Sequence, residues 1–362
     1  MLLRWRPNVL LDGSLRGGYN AGGQRGVMRY YILIGTVAAV IAAWSGGWFY
    51  KADQLREAIQ QRASQSSQAR QWAYRDMAIT GFPFRLQLDL ASPRIAWRGQ
   101  THEIFWESDQ IKAVGHPWQP HRILFDLTGQ HRFKTKLGGD WRELTLDSGE
   151  AMASVETDAE NRPERLSLDI KKIILRHNGA PALQGERLQI HSRPAPGMSD
   201  GLDFALSGEA LEVAEGALPR NFVALPRTAK SLDLQATVTG LPKAGLSPGG
   251  LPQWRDGGGT LEVKRFHLQW GDMDISATGS LALDGEMRPI GALTARIKGH
   301  DQLLDIAVAN GMMDKDDLVA ARAVLGLLAA AGGGVLSVPV RLQDGQLFLG
   351  PAPVARLARI AH

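Results

Sequence analysis

The run YYILIGTVAAVIAAWSGGWFY, from Tyr30 to Tyr50, holds twenty-one residues without a charge. As a helix rising ~1.5 Å per residue it would extend roughly 31 Å, close to the ~30 Å hydrocarbon core of a bilayer. Lipid offers the backbone no hydrogen-bond partners, so a segment this apolar is expected as one transmembrane helix, residues 28–50 with Met28 and Arg29. Tyr30 and Tyr31 mark one membrane interface, and Trp44, Trp48, Phe49 and Tyr50 the other. The alternative is a cleaved signal peptide, with Ser45-Gly46-Gly47 as a small-x-small site and cleavage before Trp48. Signal cores are shorter, and the expectation is an uncleaved anchor.

The charges are distributed unevenly. Residues 1–29 hold Arg4, Arg6, Arg16, Arg25 and Arg29 against Asp12, a balance of +4, and the remaining 36 basic and 36 acidic residues cancel. That is the positive-inside asymmetry, so the N-terminus is expected in the cytoplasm and the large domain across the membrane. A neutral main domain offers no electrostatic footing for nucleic acid, despite the pI near 9.4. The chain has no cysteine, which rules out disulfides and thiolate metal sites and fits a bacterial periplasm. Residues 1–27 show no periodicity and read as either a disordered basic tail or a mis-called start, with Met28 the other initiator.

After the membrane run, residues 51–73 read as a stalk helix, with Ala52, Leu55 and Ile59 on one face. Serines at 64, 66 and 67 weaken it. From Tyr74 to His362 the expectation is one antiparallel β domain. Phe84, Leu86, Leu88 and Leu90 alternate with polar residues. The pattern returns at Leu166 to Ile170, Leu202 to Leu206, Leu232 to Val238, Leu261 to Val263, Phe266 to Trp270, Met273 to Ala277, Leu281 to Leu283 and Leu293 to Ile297. The parity slips across Lys264-Arg265, which predicts a bulge. Asp284-Gly285 and Asp344-Gly345 predict type I′ hairpins, and Gly271-Asp272 a tight turn. Short turns between consecutive strands mean a meander, curved into a groove or packed as a sandwich. One apolar helix interrupts it, led in by Asp314, Asp316 and Asp317 and stopped by Gly332-Gly333-Gly334. It must pack on the sheet's apolar face or enter something apolar.

Chemistry has few candidates. His116, His121 and His131, with Asp126 and Asp140, lack any tight ligand spacing and read as surface or turn histidines. Gly257-Gly258-Gly259-Thr260 lacks the lysine of a phosphate loop and reads as a turn. No Gly-x-Ser-x-Gly elbow or thiol is available, so no enzyme, metal or cofactor is expected. Most of the ten tryptophans, among them Trp72, Trp97, Trp106, Trp118, Trp141 and Trp270, are expected in the core. Some would line an apolar groove or a membrane interface.

The stretch Trp72-x-Tyr74, then Ile79-x-Gly81-Phe82-Pro83-Phe84-Arg85-Leu86, resembles the signature of a bacterial membrane-anchored family catalogued as domain of unknown function 2125. Gly279-Ser280-Leu281-x-Leu283-Asp284 and Val338-Pro339-Val340-Arg341-Leu342-x-Asp344-Gly345-x-Leu347 agree, so the likeness covers roughly residues 28–354. The strand-turn-strand ending is similar, more distantly, to AsmA-like envelope proteins. That likeness implies a β structure tethered to the inner membrane, with an apolar groove serving lipid or outer-membrane assembly. The family brings no catalytic residues. Physically, Gly81 permits a turn and Pro83 holds its predecessor extended, so Phe82 and Phe84 are expected to anchor the core as they enter the first strand.

Two functions follow as expectations. The first is a non-enzymatic inner-membrane protein whose periplasmic domain handles or transfers lipid through an apolar β-groove, with membrane lipid as partner. The second is a scaffold that recruits other envelope proteins.

Overall fold

The computed structural model describes residues 21–65, 67, 70–98, 103–137, 140–217, 226–242, 250–309, 315–350 and 352–360. The chain divides into two compact units, Met1–Asp53 and Gln54–His362. Residues 1–20 of the N-terminal tail lie outside the described residues.

Helix α1 (Ala21–Ser64) contains the uncharged run and is long and apolar enough to cross a membrane, a test that a signal sequence also passes. It begins before Met28, because a helix nucleated by the apolar run propagates into its flank at about 1 kcal/mol per glycine. The stalk is shorter than expected. Helix α1 stops at Ser64, whose hydroxyl turns back to the Gln61 carbonyl at 2.9 Å, and extended structure starts at Arg70.

In the second unit the described strands form one antiparallel sheet, not the two layers of a sandwich. Four long runs each break once, giving β1 (Arg70–Ala73) and β2 (Asp76–Thr80), β3 (Leu86–Ala91) and β4 (Arg94–Arg98), β5 (Glu103–Ser108) and β6 (Gln110–His116), then β7 (Gln119–Asp126) and β8 (Gly129–Leu137). Nine or more residues then run unbroken in β9 (Asp140–Thr157), β10 (Pro163–His177), β11 (Ala180–Pro194), β12 (Leu202–Val213), β13 (Thr228–Thr239), β14 (Thr260–Trp270), β15 (Met273–Leu283) and β16 (Pro289–Lys298). Shorter β17 (Leu336–Gln343), β18 (Gln346–Leu349) and β19 (Ala352–Arg356) complete the sheet. Each run pairs with the run before and after it, so the whole is a meander.

The breaks line up. Ser92 and Pro93, Asp109, Leu127 and Thr128, Gly149, Lys172, Glu186, Ala210 and Lys230 all fall out of the pairing at matching positions across successive runs. Three of them take positive φ: Ser92 at 49°, Lys172 at 52° and Ala210 at 48°. They form a crease, and the parity of the apolar residues slips across it, from Ile170 to Ile173 and from Gly208 to Leu211. Ala151, Ile170 and Ile173 nevertheless share one buried cluster with Leu146 and Leu188. A side chain on Gly185 or on Gly208 would meet Leu211 at 2.7 Å, so residues from both sides of the crease face the same way. The unpaired residue re-aims the strand, and the apolar face continues around the bend of a curved sheet.

Turns follow local chemistry. Asp344 and Gly345, with φ of 52° and 71°, form the expected two-residue hairpin between Gln343 and Gln346. Gly271 at φ 58° turns between Trp270 and Met273, and the slip between Val263 and Phe266 is an irregularity of register, as its parity predicted. At Asp284 the turn is longer than type I′. Asp284 accepts from the backbone of Glu286 and Arg288 at 2.8 and 2.9 Å, and Met287 takes the positive φ. An Asx-type loop of five residues has replaced the tight turn.

Among the described residues three helices accompany the sheet: α2 (Leu251–Asp256), α3 (His300–Ala309) and α4 (Lys315–Ala331). Helix α4 is the expected apolar helix, closed by Gly334 N–H on the Ala329 carbonyl at 2.7 Å. Its Arg322 reaches Asp301 and Asp305 of α3 at 2.9 and 2.8 Å.

Candidate functional site

Side chains directly opposite in an antiparallel ladder share a face. One ladder reads Ile79, Leu88, Ala113, Phe125, Ala153, Leu168, Ile190, Leu206, Leu234, Phe266, Ala277, Ala295, Val338. It crosses thirteen strands without a polar residue. At ~4.8 Å per strand its length is about 58 Å. Its burial is uneven. Ala277, Ala295 and Val338 are 8%, 3% and 8% exposed, beneath Leu325 and Ala329 of α4 and Leu303 of α3. Leu88, Phe125, Leu168, Ile190, Leu206 and Leu234 are only half-buried. Among the described residues, helices cover the last strands and Trp254 of α2 covers one corner, packing with Val238 and Leu283. Trp254 is held there by its indole N–H on the Thr239 carbonyl at 2.7 Å.

Beyond the crease the face turns aromatic. Trp72, Ile95, Trp106, Phe133 and Leu144 make one cross-strand row, with Phe133 40% and Ile95 37% exposed. Trp106 stacks on His131, ring centres 6.1 Å apart, and Trp72 meets Tyr74 edge-on at 5.9 Å. Tryptophans are thus less a core than a surface feature: Trp97, Trp118 and Trp141 are 59%, 56% and 49% exposed, whereas Trp254 is buried and Trp270 hydrogen-bonds the Pro226 carbonyl. Sequence reading missed β4 to β9 almost entirely, because charges interrupt their apolar positions. The aligned parity slips were the signal that would have found the crease.

The motif residues separate by role. Trp72 belongs to β1, and Tyr74 lies in the break between β1 and β2. Gly81, at φ 100°, sits in a turn closed by Arg85 N–H on its carbonyl at 3.0 Å, where a side chain would meet Arg85 at 2.6 Å. Phe82 and Phe84 are 48% and 69% exposed in that turn, joined through a cis bond to Pro83, and they do not anchor the core. The strand begins only at Leu86, so both rings project from the loop instead of from the sheet. In α1, Tyr30, Tyr31, Trp44 and Tyr50 are 69%, 70%, 43% and 62% exposed, while Trp48 is 7% exposed.

The opposite face is polar and self-neutralising. Arg187 grips Asp169 through two nitrogens at 2.8 and 2.6 Å, holding that carboxyl below the usual carboxylate range. The Thr237 hydroxyl, at 2.7 Å, does the same for Asp203, aided by Lys264 at 3.2 Å and Arg193 at 3.3 Å. A trough of about 420 Å³ there is lined by Arg122, Arg165, Arg193, Lys264, Glu156 and Asp203 among others. The histidines are dispersed. His131 is buried rather than superficial, its Nε2 2.6 Å from the Leu127 carbonyl. His116 lies against Trp118 at 5.1 Å, and His121 is 3.4 Å from the Thr157 hydroxyl.

No curated protein matches the chain. A family model, described as uncharacterized protein conserved in bacteria (DUF2125), matches residues 48–358, which takes in the sheet and its helices but not the apolar run before Trp48. Neither comparison reaches AsmA-like proteins. With the signature residues from Trp72 to Leu86 and the closing hairpin at Asp344-Gly345 inside the matched span, the chain belongs to the bacterial DUF2125 family.

Proposed function

We propose that this protein is a non-catalytic lipid-handling component of the bacterial envelope. Helix α1 is its inner-membrane anchor with the N-terminus in the cytoplasm, and the sheet is periplasmic. The observation that carries the reading is the thirteen-strand apolar ladder, which among the described residues has helices over its far end only. Partly exposed Leu168, Ile190, Leu206 and Leu234 in one row are an uneconomical surface for water, and hydrocarbon is the solvent that fits them. At about 58 Å the ladder exceeds the ~15 Å that one acyl chain occupies in a leaflet, so chains have room along it. The charge asymmetry around α1 supports the topology. Ionisable groups on the other face are engaged in ion pairs, which supports binding over catalysis.

Neighbouring residues supply the test, because Leu206 and Ser207 point to opposite faces. A photo-crosslinking residue at Leu206 in the full chain in cells should yield phospholipid adducts by mass spectrometry, and one at Ser207 should not. Equal or absent adducts at both positions would end the proposal. A C-terminal alkaline phosphatase fusion should be active, and activity restricted to a cytosolic reporter would overturn the topology.

A further inference from the structure

The trough on the polar face has a volume of about 420 Å³, within the roughly 300–1,000 Å³ of small-molecule sites. Its floor is the row Ser154, Ser167, His191 and Ala205, paired strand to strand from β9 to β12. Three of these side chains are short, so the row lies recessed. Among the described residues the hydroxyls of Ser154 and Ser167 have no hydrogen-bond partner. The next row along the same strands makes a wall. It runs Arg122, Glu156 and Arg165 across β7, β9 and β10, then Arg193 and Asp203 across β11 and β12, with Lys264 reaching in from β14.

The charges of that wall do not balance. Glu156 stands between Arg122 and Arg165, at 3.5 and 3.8 Å, and Asp203 between Arg193 and Lys264, at 3.3 and 3.2 Å. Every cation has a carboxylate partner, yet each carboxylate serves two cations, so four positive charges meet two negative ones. Glu262, in register with Thr237, stays outside the lining. Next to the trough the pairs are one to one, Arg187 with Asp169 and Arg265 with Asp233. The excess is also concentrated. Leu166 pairs with Ser192, so the next step of that register sets Arg165 beside Arg193. Their carboxylates stand to either side of the two, not between them. Like charges directly opposite on neighbouring strands destabilise a sheet, and such a pair is kept where function offsets the loss. Both Glu156 contacts are longer than a hydrogen bond, so Arg122 and Arg165 keep N–H donors to offer.

We propose that this trough binds a dianionic phosphate group, as inorganic phosphate or a phosphomonoester, between Arg165 and Arg193 and above Ser167. An excess of two positive charges matches the two negative charges of the ligand, and guanidinium forks match its oxygens. The site goes beyond the lipid reading and does not depend on it, because the apolar ladder lies on the other side of the sheet.

The full chain in maltoside micelles at low salt, titrated with inorganic phosphate by calorimetry, should bind one equivalent. Glycerol 3-phosphate separates the sources of the group. Binding as tight as phosphate supports the site as one for a lipid headgroup, and much weaker binding supports it as one for free phosphate. Arg165→Gln and Arg193→Gln should each weaken phosphate about tenfold while leaving or raising the melting temperature of ligand-free protein, because their mutual repulsion is gone. Arg176→Gln, which removes a cation paired with Asp147 on the same face but outside the trough, should leave the affinity unchanged. Glu156→Gln adds one charge to the excess and should tighten phosphate severalfold, a gain that a damaged fold cannot imitate. The proposal is overturned by absence of phosphate binding, by acetate bound as tightly as phosphate, by an equal loss in Arg176→Gln, or by weaker binding in Glu156→Gln. Phosphate binding and the Leu206 adducts can each fail without the other, which separates this site from the lipid-binding face.

Discussion

Two stretches of the same apolar ladder behave differently. Across β15, β16 and β17, Ala277, Ala295 and Val338 are nearly sealed, and Leu336 beside them is 0% exposed. Across β10 to β13, Leu168, Ile190, Leu206 and Leu234 are half-buried. The strands are equally alternating in both regions, so periodicity is not the difference. Only the first region has α3 and α4 laid over it. The covered end behaves as an ordinary core, and the other stretch, sealed at the crease by Ala151, Ile170 and Ile173, is elsewhere a partly exposed surface that keeps a core's composition. A chain that could close this face with helices does so at one end only, and the open part is therefore the part to examine for ligand.

Mutations can break that contrast. Leu336→Ala should cost the most, about 3–4 kcal/mol in chemical unfolding, because a sealed site cannot collapse around the missing atoms. Gly291→Ala should follow at roughly 2 kcal/mol. Its φ is 144° and a side chain would meet the Ser280 carbonyl at 2.2 Å within the covered end. On the polar face, Asp203 has its pKa lowered in the fold, so its contribution is present above the ordinary value near 3.8 and is lost as pH falls through the folded value. Asp203→Asn should therefore destabilise by about 1 kcal/mol at neutral pH, and the gap from wild type should close in denaturation below that pH. Leu206→Ala should cost no more than about 1 kcal/mol in lipid-free protein, since part of its surface is already wet and no helix is packed over it to leave a sealed cavity. A loss equal to that of Leu336→Ala would show the open region to be closed. Smallest of all, Lys172→Gly should stabilise by about 0.5 kcal/mol in thermal melts, by relieving a positive φ of 52° at the crease.

Much of the architecture was legible from residue order. The uncharged run, the two-residue turn at Asp344-Gly345, the bulge at Lys264-Arg265 and the glycine stop after α4 each rest on local chemistry that tolerates little else. Where local rules were weak, reading failed. Residues 70–73 looked helical because Trp72 and Tyr74 follow a polar helix, yet they pair with β4 and lie extended. Phe82 and Phe84 looked like core anchors because large rings usually are, and the loop instead turns them outward. His131 looked superficial in sequence but is buried against Trp106. Helix α3 and the interrupted strands from β4 to β9 carry too many charges for periodicity alone to separate from loops.

Sequence by itself determined that this chain alternates into one-sided strands, carries a membrane-length apolar helix and has a neutral body beyond it. Side-chain period and hydrocarbon thickness are local or additive properties. Only the tertiary structure decided that the strands make a single creased sheet, that the apolar rows join across the crease, and that among the described residues helices cover one end of the apolar face. Those outcomes depend on register between segments far apart in the chain, and on where unpaired residues such as Lys172 and Ala210 line up. No window of neighbouring residues encodes that alignment.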